Sequence, residues 1–154
     1  MTDSPGRLNG RCLCGAIAFT IQTPFRPIIA CHCRQCARWT GHAVYATAVA
    51  PERFEIVSGE SELTWFHSSK SGIRGFCKAC GSSLFWKPAS GTPISILAGT
   101  LDFPTGLETA AHIHVSSKSD YFDIDESVPY FAEELSDAMA EKLAVGHRSA
   151  AAEG

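Results

Sequence analysis

A mainly β chain closed by one short helix is what this sequence predicts, and two patterns carry that prediction. Short apolar runs recur at close spacing, each bounded by Gly, Ser or Pro turn signals. A helical period stands out only near the end, where Leu135, Met139 and Leu143 recur every four residues ahead of Gly146. Many short strands without intervening helices favour a sandwich or folded sheet over βαβ units.

In order along the chain, residues 1–7 are polar and rich in breakers, the character of a flexible N-terminus. Within residues 10–23, Ile17, Phe19 and Ile21 alternate with small or polar residues, which predicts a half-buried strand broken by Pro24 and Pro27. Residues 28–33 form a second short strand that runs straight into a group of cysteines. Val44, Tyr45, Thr47 and Val49 predict a strand ended by Pro51. Further strands are expected at 54–57, 63–67, 73–76, 83–87, 94–98 and 113–115. Residues 132–146 carry the helix, and 147–154 read as a flexible tail.

Composition narrows the function. The 154 residues suit about one domain, and 45% of them are hydrophobic, enough for a real core. Charged residues make up 19% and the formal net charge is −3. Lys and Arg are scattered, the tightest cluster being Arg34 and Arg38, so neither nucleic acid nor an anionic membrane is the expected partner. No stretch approaches the roughly 18 apolar residues of a membrane span. The polar start is no signal peptide, so a cytosolic location is expected.

Seven cysteines in a reducing compartment require a reason other than disulfides, and an odd total would leave one over. Metal ligation supplies it, because seven divides into four plus three. The groups are Cys12-x-Cys14, Cys31-x-Cys33-x-x-Cys36 and Cys77-x-x-Cys80, with Gly10, Gly15, Gly41, Gly75 and Gly81 beside them. A four-cysteine zinc site is closed and stabilises a fold; a three-cysteine site leaves a position for a water or an incoming ligand. One split joins the outer pairs Cys12/Cys14 and Cys77/Cys80 and leaves the central triplet open. The other makes a ribbon of Cys33/Cys36 with Cys77/Cys80, leaving Cys12, Cys14 and Cys31. Spacing alone gives the first only a modest lead.

The segments Gly10–Phe19, Cys31–Cys36 with Thr40-Gly41, and Phe76–Gly81 with Leu84-Phe85-Trp86 resemble the glutathione-dependent formaldehyde-activating (GFA) family. Ala98–Asp102, His112–Val115 and Lys118 are similar as well, so the resemblance covers residues 8–131 in the family's order. It implies an Mss4-like fold of folded antiparallel sheets around a structural zinc held by Cys12, Cys14, Cys77 and Cys80. It also implies a catalytic zinc on Cys31, Cys33 and Cys36, making two zinc ions per chain; with only three protein ligands, the second is expected to be the more labile. The implied activity is that of a carbon–sulfur lyase joining glutathione, or a similar thiol, to formaldehyde or another small aldehyde. The rival reading is a non-catalytic zinc-binding, thiol-carrier or interaction module on the same scaffold, and a third is a redox sensor.

Thr40 and Gly41 follow the triplet and are candidates to line a thiol pocket, with a simple turn as the plainer reading. For His32, between two ligands, packing or hydrogen bonding is expected rather than ligation. Arg34 and Arg38 could meet the carboxylates of a glutathione-like substrate, a solvated surface being the more ordinary expectation. Trp39, Trp65 and Trp86 are expected in the core. His112 and His114, two apart, would share one side of a strand. Asp120, Asp123, Asp125 and Glu126 suggest a solvated acidic loop.

Overall fold

The computed structural model describes residues 6–143 and confirms a mainly β architecture. In chain order the strands are β1 (Arg7–Arg11), β2 (Ala18–Gln22), β3 (Ile28–Cys31), β4 (Val44–Val49), β5 (Phe54–Ser58), β6 (Leu63–His67), β7 (Gly72–Cys77), β8 (Ser83–Pro88), β9 (Ile94–Leu97) and β10 (Thr109–Ile113). The chain divides into two compact units: one takes the chain up to Phe25 together with Ala48–Gly106, the other Arg26–Thr47 and the chain from Leu107.

In the first unit, β2 lies between β1 and β5 in an antiparallel sheet, while β6 to β9 form an antiparallel meander. Three consecutive residues of β2, Phe19, Thr20 and Ile21, are buried, so this central strand is covered on both faces. Phe19 and Phe54 each meet the Phe85 ring edge-on at 4.9 Å, the geometry aromatic quadrupoles favour. Strand β1 was not expected from the sequence. Its RLNGR run has no apolar alternation, and it is a strand because its backbone pairs with β2 from Arg7↔Gln22 to Arg11↔Ala18.

In the second unit, β3 pairs antiparallel with β4 and parallel with β10. The last strand sits earlier than the expected 113–115, because His114 takes a left-handed conformation and Val115–Ser117 curl into a 3-10 turn. A helix the sequence reading did not anticipate, α1 (Arg34–Thr40), starts immediately after β3. The C-terminal helix is present over 137–143, capped by the Ser136 hydroxyl, which accepts from the Met139 amide at 3.2 Å. Met139 and Leu143 are its half-buried positions, and Leu135, also half-buried, lies just ahead of it rather than within it. Ahead of it, the backbone of Phe131 and Glu133 bonds to His112 and His114, which holds 131–134 out of the helix. Residues 1–5 of the expected flexible N-terminus, 144–146 of the expected helix and the expected tail 147–154 lie outside the described residues.

Candidate metal centres

The first unit gathers Cys12, Cys14, Cys77 and Cys80, whose sulfurs all lie within 4.8 Å of one another. Cys12 and Cys14 follow β1, and Cys77 ends β7 with Cys80 in the turn to β8. Both loops curl back on themselves: the Gly15 amide donates to the Cys12 carbonyl at 3.1 Å and the Gly81 amide to the Cys77 carbonyl at 2.7 Å. The Cys12–Cys14 and Cys14–Cys77 sulfur separations are 3.6 and 3.9 Å. A tetrahedral zinc with Zn–S bonds of ~2.3 Å requires sulfurs about 3.8 Å apart, so the donor set fits that ion. The Ile17 amide donates to Cys12 Sγ at 3.3 Å. Ser82 joins the two loops, accepting from the Leu13 amide at 2.9 Å and meeting Cys80 Sγ at 3.2 Å. Its hydroxyl is the main cause that pulls the Cys80 thiol down to about 5, the direction a metal-binding thiolate needs.

In the second unit, Cys31, Cys33 and Cys36 form the other sulfur group, also within 4.8 Å. Cys31 is the last residue of β3, and Cys33 is the extended N-cap of α1, its sulfur accepting from the Cys36 amide at 3.3 Å. Two residues of extended chain turn Cys31 and Cys33 to one side, and the first helical turn returns Cys36 to them. The Cys33 and Cys36 thiols, and then burial, push the Cys31 thiol far above the ordinary range. Three thiolates this close repel one another, and a cation among them reverses that sign. The donor set therefore fits a soft divalent ion with three protein ligands.

Of the two splits that spacing left open, the structure brings together the outer pairs and keeps the central triplet as its own group. All seven cysteines are free thiols. Thr40 and Gly41 end α1. The Thr40 hydroxyl lies 3.0 Å from the Cys36 carbonyl and 2.7 Å from that of His42, while Gly41 takes φ +87°, a left-handed cap that a Cβ would strain. Arg34 and Arg38 are exposed, as are Asp120, Asp123, Asp125 and Glu126. Trp39, Trp65 and Trp86 are half-buried rather than core residues; Trp65 covers Gly75 and carries the Lys87 ammonium 4.0 Å over its ring.

His32 is buried and hydrogen-bonded, its Nε2 lying 2.8 Å from Nδ1 of the equally buried His112. Burial first, and then the neighbouring His112, pushes His32 down to about 4; burial lowers His112 also, so the pair is neutral near pH 7. The expectation that His112 and His114 share one side of a strand does not hold, because the strand ends between them. His114 turns to the carboxylates of Glu134 and Glu133, at 2.8 and 3.4 Å. Phe122 stacks on His32 with centroids 5.7 Å apart and meets His42 edge-on at 4.9 Å. The Lys118 ammonium clasps that loop through the Phe122 carbonyl at 2.7 Å. The sequence reading missed Ser82 and Phe122, and no local pattern marks either one.

The fold and its two sulfur clusters define a small β protein with two sites able to hold a metal ion. Residues 7–117 match the glutathione-dependent formaldehyde-activating enzyme family, and the chain belongs to it. An uncharacterized lyase of Schizosaccharomyces pombe is 26% identical over 124 residues, 80% of this chain and 89% of that protein. A Halomonas elongata protein, provisionally named a glutathione-dependent formaldehyde-activating enzyme, is 27% identical over 128 residues, 77% of this chain and 81% of its own. A Rhodobacter sphaeroides protein of known crystal structure shares the fold, with a TM-score of 0.52 and 18% identity over 80% of this chain and 99% of that one. No helix among the described residues is long and apolar enough to cross a membrane.

Proposed function

We propose that this protein is a zinc-dependent carbon–sulfur lyase that joins glutathione, or a thiol like it, to formaldehyde or another small aldehyde. The observation that carries the reading is the asymmetry of the two sulfur groups: four donors, the number that saturates a tetrahedral zinc, and three, one fewer than that ion takes. Membership of the family supports the same substrates. In this reading Cys12, Cys14, Cys77 and Cys80 hold a structural zinc, and Cys31, Cys33 and Cys36 a second, catalytic one, within a zinc domain spanning 8–131. Reduced thiols and family chemistry suit the cytosol.

A zinc ion at the triplet would supply the charge that favours the thiolate form of an entering thiol. The chain's own part is to bring Cys31, Cys33 and Cys36 together at a strand-to-helix junction, one protein ligand short of a saturated tetrahedral ion. In the overall reaction the substrate S–H bond breaks, an S–C bond forms to the carbonyl carbon, and the proton ends on the former carbonyl oxygen. Thr40 and Gly41 contribute through the turn they build at the end of α1, a rim for the thiol.

Native mass spectrometry of freshly purified, reduced protein tests the proposal, paired with the rate of adduct formation by NMR. Two zinc ions per chain, glutathione adding to the two-zinc form, and a saturable rate above buffer that disappears in Cys33→Ser are the expected results. One zinc, no thiol adduct and a rate equal to buffer would replace the enzyme with a non-catalytic zinc module.

A further inference from the structure

We propose that the buried hydrogen bond between His32 and His112 sets the three-cysteine loop, making His112 a positioning residue for the metal that Cys31, Cys33 and Cys36 hold. The inference rests on reading that triplet as a metal centre.

His32 stands between two of the three sulfur donors, so the orientation of its residue governs both neighbours. The group of donor atoms within 4.8 Å contains the three sulfurs and neither imidazole. The rings therefore act through the chain and not as ligands. On the backbone side, the His32 amide donates to the Ile113 carbonyl at 3.0 Å. On the side-chain side, its Nε2 meets His112 Nδ1 at 2.8 Å, under the face of Phe122. His32 is thus fixed at both ends.

His112 is the firm end of the pair. It faces Ala30 in the parallel ladder of β10 and β3, its amide donates to the Pro129 carbonyl at 2.9 Å, and its carbonyl accepts from the Phe131 amide at 2.9 Å. Tyr45 closes a further side, ring edge to ring face at 6.1 Å. Both residues are only 3% exposed, an environment in which a polar nitrogen without a partner is rare. A metal site pre-organised by such a neighbour binds more tightly, because less ordering remains to be done on binding.

The test uses the full chain with zinc in the four-cysteine group, titrating the triplet with Co²⁺ against a chelator and reading the thiolate-to-cobalt absorption. His112→Phe keeps a ring and removes both nitrogens; it should weaken Co²⁺ binding at the triplet about 10–100-fold. His112→Asn places an amide near the position of Nδ1 and should recover most of that loss. Zinc retention by the four-cysteine group should be the same in all variants, a result that general destabilisation would not give. A folded His112→Phe with wild-type Co²⁺ affinity overturns the inference, as does a His112→Asn as weak as the Phe variant. Should His112→Phe not fold, His32→Leu against His32→Gln poses the same question from the other ring, and equal affinities overturn it. Absence of a cobalt–thiolate band in the unmutated chain would instead overturn the metal reading of the triplet, and the inference with it.

Discussion

The two sulfur clusters use one residue type and are built in opposite ways. Cys12, Cys14, Cys77 and Cys80 come from two loops far apart in sequence, one after β1 and one between β7 and β8. Cys31, Cys33 and Cys36 come from a single strand-to-helix junction whose backbone is already bonded to β4 and β10. A metal in the first group closes a long loop, and its binding energy is folding energy. A metal in the second group fills a place that local structure has already shaped. On the proposed reading, stability would reside in one cluster and exchange in the other.

The largest expected effect tests that contrast directly. Cys12→Ser or Cys80→Ser should give insoluble or zinc-poor protein, since losing the closed site removes a contribution comparable to the ~5–15 kcal/mol that holds a whole domain together. Cys33→Ser should leave a folded chain lacking only the second metal. Cys33 is the N-cap of α1, and serine is among the preferred N-caps, so the helix keeps its first hydrogen bond and stability changes by about 1 kcal/mol or less. Soluble yield, circular dichroism and metal content would read both arms. Equal damage to folding from the two kinds of substitution would break the contrast.

A substitution that touches no sulfur asks whether the first cluster depends on its surrounding loops as well as on its ligands. Gly59 has φ +80°, and a Cβ there would run into the Ala16 carbonyl oxygen, in the loop that carries Cys14. Gly59→Ala meets both a left-handed backbone penalty and a clash with main chain that cannot rotate away. A loss of about 2–4 kcal/mol is expected in urea unfolding of the zinc-loaded protein. An unchanged midpoint would mean that this loop yields freely, and that the ligands alone hold the cluster in place.

How much of this was legible beforehand follows the same division between local and distant. The strands β2 to β9 could be read because each is an apolar run with a Gly, Ser or Pro turn signal beside it. Strand β10, with the sequence TAAHI, could not, since small residues carry little pattern and its parallel partner β3 lies far back in the chain. Helix α1 is only seven residues long, too short for a period to emerge; its limits are set by Cys33 and Gly41, residues first noticed for other reasons. The seven sulfurs were visible at once, but their division needed the folded chain or a family resemblance, because spacing allowed two splits. The bond between His32 and His112 spans 80 residues and has no sequence signature at all.

The smallest effect separates a ligand from its support within the first cluster. Ser82 accepts from the Leu13 amide and meets Cys80 Sγ, so one hydroxyl ties the loop of Cys12 and Cys14 to the loop of Cys77 and Cys80. Ser82→Ala leaves all four sulfurs in place and removes this tie. The freed Leu13 amide is at the surface and can turn to water, so the loss of stability should be near 1 kcal/mol, well short of the cysteine variants. The Cys80 thiol, held low chiefly by that hydroxyl, should rise, so that a proton competes better with the metal for its sulfur. Zinc affinity of the four-cysteine group should therefore fall about 10–100-fold in a chelator competition, with the three-cysteine group unaffected. A variant that keeps full zinc affinity would show that the four sulfurs are placed by their own turns, and that the tie between the loops follows from zinc binding instead of preparing for it.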